Sequence, residues 1–195
     1  MTGSKMKRDV LARYDRAGDN TVLIDVSATR TEDLYSDFDR SAPYIRRDLD
    51  QDLVAYLIDC ARELGGEPFA IRFTLDDPPD DRKLARVQGS VNGFFLYLAE
   101  IERQKVHRMI RRSTVLLFIG LAILFISVWV NRSLGAERSV VANVFAEGLT
   151  VAAWVSLWEA LAIFLIEWFP LQRGLRLYRR LADARLIFRP GPGVT

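Results

Sequence analysis

Thr114 to Val130 reads TVLLFIGLAILFISVWV, seventeen residues without a charge. At about 1.5 Å per residue a helix of that length covers about 26 Å, just enough for the hydrocarbon core of a bilayer. Arg111, Arg112 and Ser113 bound it on one side, and Asn131 and Arg132 on the other. Trp129 stands at the distal end, where an amphipathic ring prefers the interface. This stretch decides the architecture: the chain must contain a membrane part.

A second apolar stretch follows. From Val140 to Phe169 the pattern is helical but includes Glu147, Glu159 and Glu167. A span at about 149–169 puts Glu147 at the far interface, Glu167 and Trp168 at the near one, and Glu159 inside the hydrocarbon layer. Pro170 is expected to end or kink the helix. One span with a buried or re-entrant second helix is the competing arrangement.

Orientation follows from the basic residues. Arg103, Lys105, Arg108, Arg111 and Arg112 precede the first span, and Arg173, Arg176, Arg179 and Arg180 follow the second. The connecting loop carries Arg132 and Arg138 alone. The positive-inside rule therefore places both termini in the cytoplasm, with these arginines setting topology and meeting lipid headgroups. The charge balance agrees. Residues 1–100 hold 14 basic and 19 acidic residues, net −5, whereas residues 101–195 hold 13 and 6, net +7. An acidic first half and a basic, apolar second half point to anionic lipid rather than nucleic acid. Met1 to Asn20 is polar, lacks the apolar core of a signal peptide and is expected to be flexible.

The spans carry small residues at regular spacing. Gly148, Ala152, Ser156 and Ala160 recur every four residues, and Ser113, Gly120 and Ser127 every seven. Small residues let helix backbones approach closely in lipid. These faces fit packing within the hairpin or between subunits.

The remainder reads as a small α/β (α+β) cytoplasmic domain, residues 21–112 with 171–190, into which a transmembrane hairpin, residues 113–170, is inserted. Thr21 to Val26 is a short buried strand. An acidic stretch with Asp33, Asp37 and Asp39 follows. Apolar positions from Ala42 to Leu64 fit a helix with one apolar face, ended by Gly65-Gly66. Phe69, Ile71, Phe73 and Leu75 alternate with polar or small residues as a half-buried strand. Asp76 to Asp81 is a loop whose last Asp caps the next helix, and that helix runs almost unbroken into the first span. Its apolar face covers the sheet or forms an inter-subunit coiled coil. Leu171 to Ala182 is a basic amphipathic helix, and Ala184 to Arg189 a third strand. The chain order is strand, helix, strand, helix, span, span, helix, strand.

Chemistry is sparse. One Cys and one His, Cys60 and His107, exclude a Cys/His zinc site within one chain and an intrachain disulfide. The phosphate-binding, nucleophile-elbow and zinc-peptidase motifs are absent. Asp25, Asp33, Asp37 and Asp39 read as a solvated acidic loop, not a cation loop, and so does DDPPDD. His107 fits a headgroup-facing role. No catalytic residue, cofactor or metal is expected. Glu159 is the exception: a mid-span carboxylate costs about 2.5–3.5 kcal/mol and needs an offset, from a helix contact, a proton, a cation or water.

Trp154 to Pro170, WVSLWEALAIFLIEWFP, resembles a motif in a family of bacterial two-span inner-membrane proteins with no assigned activity, chiefly in Glu167-Trp168-Phe169-Pro170. The resemblance implies a bacterial inner membrane and adds no catalytic residue. The reading is a non-enzymatic membrane assembly or interaction protein, homo-oligomeric, with lipid and an unidentified protein as partners. A small oligomeric ion or proton channel lined by the second span, or a membrane-tethered enzyme, are the alternatives.

Overall fold

The computed structural model describes residues 11–36, 43, 47–76, 80–133 and 140–191. Its elements are β1 (Val22–Ala28), a 3₁₀ turn (Thr31–Leu34), α1 (Gln51–Leu64), β2 (Phe69–Leu75), α2 (Asp81–Ser133), α3 (Val140–Ala182) and β3 (Arg185–Pro190). Two compact units result, residues 1–100 with 175–195, and residues 101–174.

In the first unit the strands form one parallel sheet in the order β1-β2-β3. The C-terminal strand joins the sheet through Ala70↔Arg185 and Thr74↔Arg189. Strand alternation sorts the side chains onto two faces. Val22, Ile24, Val26, Phe69, Ile71, Phe73, Leu186 and Phe188 pack in the core with Leu57, Ala61 and Leu64 of α1, Val87, Val91 and Phe95 of α2, and Leu181 of α3. Phe73 stacks on Phe188 at 5.5 Å between centroids. The opposite face is polar at its centre: Asp25 pairs with Arg72 across β1 and β2. Leu11 and Tyr14, at the end of the segment read as flexible, pack against the core cluster, and Leu23 donates its amide to the Asp15 carbonyl at 2.9 Å.

Several boundaries differ from the periodicity reading. The first helix begins at Gln51, and Ala42 and Ile45 of the expected helix lie outside the described residues. Asp50 Oδ1 accepts from the amides of Asp52 and Leu53 at 2.9 and 3.1 Å, satisfying two donors of the first turn. Leu49 is buried as expected, but in an extended bridge opposite Tyr35 rather than on a helix. Gly65 ends α1 at φ +60°, a conformation that favours a residue without Cβ. The helix after β2 is capped by Asp80, whose Oδ1 accepts from the Lys83 amide at 2.8 Å, so Asp81 already lies inside it. The separate helix, span, span and helix of the expected chain order are two continuous helices, α2 with 53 residues and α3 with 43. Pro170 lies inside α3 rather than ending it. A proline in a helix removes one i to i−4 bond, which a long helix packed on both sides of the gap tolerates.

Candidate membrane hairpin and the clefts of the α/β unit

Residues 101–174 are the antiparallel halves of α2 and α3, and four contacts fix their register. Glu102 meets Gly174 (a Cβ there would lie 3.2 Å from Glu102 Oε1). Ser113 Oγ donates to the Ala160 carbonyl at 2.8 Å. Gly120 faces Leu157, whose amide nitrogen would lie 3.2 Å from an added Cβ. Ser127 and Thr150 share a hydrogen bond of 2.8 Å. These pairings are mutually consistent along the whole length, so each residue of α3 has a defined level on α2.

The small residues serve this seam unequally. Ser113, Gly120 and Ser127 lie on it, as their spacing of seven demands. On α3 the seam is Thr150, Ala153, Leu157 and Ala160, with Ala153 and Ala160 buried. Gly148 and Ala152 are exposed on another side, and Ser156 Oγ donates to the Ala152 carbonyl of its own helix at 2.9 Å. A spacing of four on a helix of 3.6 residues per turn winds about 40° per step, so one stripe cannot stay on one seam. Ala153 and Leu157 were the positions that reasoning from small residues missed; their offset of three and seven from Thr150 was the available signal.

Glu159 is paired with Arg112: the guanidinium lies 3.7 Å from its carboxylate, and both side chains are at least half exposed. The structure thus gives Glu159 a cation on the neighbouring helix. Arg108, Arg111 and Arg173 are exposed, and Lys105 pairs with Glu102 at 2.8 Å. His107 Nδ1 lies 3.2 Å from the Arg103 carbonyl of its own helix.

The remaining predicted basic residues belong to the α/β unit. Arg180 binds the carbonyls of Gly65 and Glu67, the latter at 2.6 Å, and lies over the Phe69 ring. It therefore pins the turn after α1. Arg176 and Arg179 are exposed on the last turns of α3.

Several polar groups in that unit are engaged with one another, while among the described residues the Ser90 hydroxyl is buried without a hydrogen bond. A cleft of about 220 Å³ beside β1 is lined by Arg13, Tyr14, Asp25, Tyr56, Cys60 and Glu63, among others. Tyr14 donates to Glu63 Oε2 at 2.8 Å, and Tyr56 to the Asp25 carbonyl at 3.1 Å. Burial, followed by hydrogen bonding with the Cys60 thiol, pushes the Tyr56 hydroxyl up to about 12. The same causes, with Glu63 added, raise Tyr14 well above the ordinary phenol value. Arg72 holds both Asp25 and Asp15, the latter at 2.6 Å, and these bonds raise its guanidinium further. Asp33 accepts from the Arg30 amide at 2.9 Å. Asp37 and Asp39, and residues 77–79 of DDPPDD, lie outside the described residues.

No family model, curated protein or solved structure matches this chain. Function must therefore be argued from the physical character of the two units.

Proposed function

We propose that the chain is a non-enzymatic integral membrane protein that holds a small α/β domain at the cytoplasmic face of a bacterial inner membrane and assembles with itself. The observation that carries this reading is the exposed apolar surface. Of the large hydrophobic side chains exposed to solvent, all but Tyr56, Leu96, Tyr97 and Ile110 fall between Val115 and Phe169. A soluble monomer rarely exposes a contiguous patch of that size, and both helices are long and apolar enough to cross a membrane.

The register supplies a membrane frame. Trp168 of α3 stands level with about residue 107 of α2, by the Glu102–Gly174 and Ser113–Ala160 pairings. From there to Trp129 is about 33 Å along the helices, close to a hydrocarbon thickness of about 30 Å. Tryptophans at both borders suit an interfacial belt. Glu159 is then about 14 Å inside the near border, and its pairing with Arg112 offsets the cost of a buried charge. The arginines flanking the hairpin favour both termini inside, and the resemblance of Trp154 to Pro170 favours the bacterial membrane. Self-assembly is supported by Gly148 and Ala152, which the intramolecular seam leaves exposed. The non-enzymatic reading rests on the cleft beside β1, where Tyr14 bonds to Glu63 and Tyr56 to the Asp25 carbonyl.

Mass photometry of the full chain in mild detergent tests the assembly: a discrete oligomer is expected, and a monodisperse monomer would contradict it.

A further inference from the structure

One side of α2 carries two arginines followed by aliphatic residues. Arg108, Arg112, Val115 and Ile119 follow one another at helical spacings of four, three and four, so they form a single stripe. All four are exposed, Val115 by 50% and Ile119 by 47%. Arg108 lies at the near border of the frame, Arg112 one turn, about 6 Å, further in, and aliphatic side chains continue inward from them. Arg108 makes no ion pair among the described residues, and the one carboxylate reaching Arg112, that of Glu159, stands at 3.7 Å. Lys105, a turn further out, is already engaged by Glu102 at 2.8 Å. The contact between Arg112 and Glu159 also shows which side of α3 adjoins the stripe. Ile163 and Ile166, four and seven residues beyond Glu159, share its side, and Ile166 is 72% exposed. The stripe is thus bordered by an apolar wall at the level of the arginines. Arg111, three residues after Arg108 and four before Val115, borders the same stripe, whereas Arg132, exposed at the far end of α2, is a basic residue outside it.

We propose that this flank is a binding site for one anionic phospholipid of the near leaflet. Its phosphate bridges Arg108 and Arg112, one acyl chain lies along Val115 and Ile119, and Ile166 covers the glycerol region. Charge complementarity selects the ligand: among the described residues the carboxylate paired with these guanidiniums is that of Glu159, at 3.7 Å, and two guanidiniums match a phosphodiester, whose attraction the ammonium of a zwitterionic headgroup partly offsets. Glu159 competes with the phosphate for Arg112, so this carboxylate limits the affinity. The inference rests on the membrane reading above and adds a specific ligand to it.

The test is native mass spectrometry of the full chain released from nanodiscs containing equal phosphatidylglycerol and phosphatidylethanolamine. Wild type is expected to retain one phosphatidylglycerol in preference. Arg108→Gln and Arg112→Gln each lower that retention about fivefold, the factor for one basic contact with an anionic headgroup. Arg132→Gln, with the same loss of net charge at the other end of α2, leaves it unchanged, and Glu159→Gln raises it. Equal retention of the two lipids, or an equal loss with Arg132→Gln, overturns the proposal. So does a dimer mass that disappears with Arg112→Gln at unchanged lipid retention, because the flank would then hold a second copy. A chain that fails to enter the nanodisc at all refutes the membrane reading instead, and the two failures are distinguishable.

Discussion

Asp50 shows what a single side chain contributes. Two amides of the first turn of α1 depend on its carboxylate. Asp50→Ala is expected to destabilise the α/β unit by about 1 kcal/mol, read as a shift in its urea midpoint. Tyr56 carries a pH dependence. Its folded value of about 12 lies above the unfolded 10.0, so the unfolded chain loses the phenol proton first. The contribution to stability is complete below pH 10 and is lost as pH rises from 10 towards 12. Circular dichroism melts across that range should show the loss, and Tyr56→Phe should reduce it. At this scale the sequence was partly readable. Glu159 stood out because a charge in an apolar run is costly, but its partner did not. Arg112 is 47 positions away, and only the register of two helices brings them together. The roles of the arginines were equally hidden. Arg180 and Arg173 look alike in sequence, yet one binds two backbone carbonyls and the other is exposed.

Elements were legible where one physical signal dominated. Phe69 to Leu75 alternates cleanly and forms β2 over those residues. The third strand was expected from Ala184 and forms from Arg185. Errors arose where a stop signal was outweighed by neighbours. Pro170, expected to end or kink the helix, lies inside α3, and Leu49 does not extend α1, because it already pairs with Tyr35. Gly120 and Gly148 look equivalent as small residues in apolar helices, and the register separates them. An added Cβ at Gly120 would press on Leu157 at 3.1 Å, whereas at Gly148 it would meet nothing within 4 Å. Gly120→Leu is therefore expected to destabilise the hairpin by about 1–3 kcal/mol, seen as a lower melting temperature in detergent. Gly148→Leu should leave that temperature unchanged and weaken self-association. If Gly120→Leu melts like wild type, the seam described here is not the one that holds the hairpin.

For the whole molecule, the segregation of charge and apolarity suggests a domain over residues 21–112 with 171–190 and a hairpin over 113–170, while the compact units of the structure are residues 1–100 with 175–195 and residues 101–174. The parallel placement of β3 beside β2 could not be read from a six-residue strand, since pairing partners are chosen by packing rather than by local pattern. The central claim is that α2 and α3 cross a bilayer as a hairpin with both chain ends on one side. Its most direct test is cysteine labelling in the Cys60→Ala background, with a membrane-impermeant maleimide on intact cells and after permeabilisation. Ser133→Cys, at the end of α2, is expected to label on intact cells. Asp19→Cys and Arg189→Cys, both in the α/β unit, are expected to label only after permeabilisation. Equal labelling of all three on intact cells, or of none before permeabilisation, would contradict the hairpin.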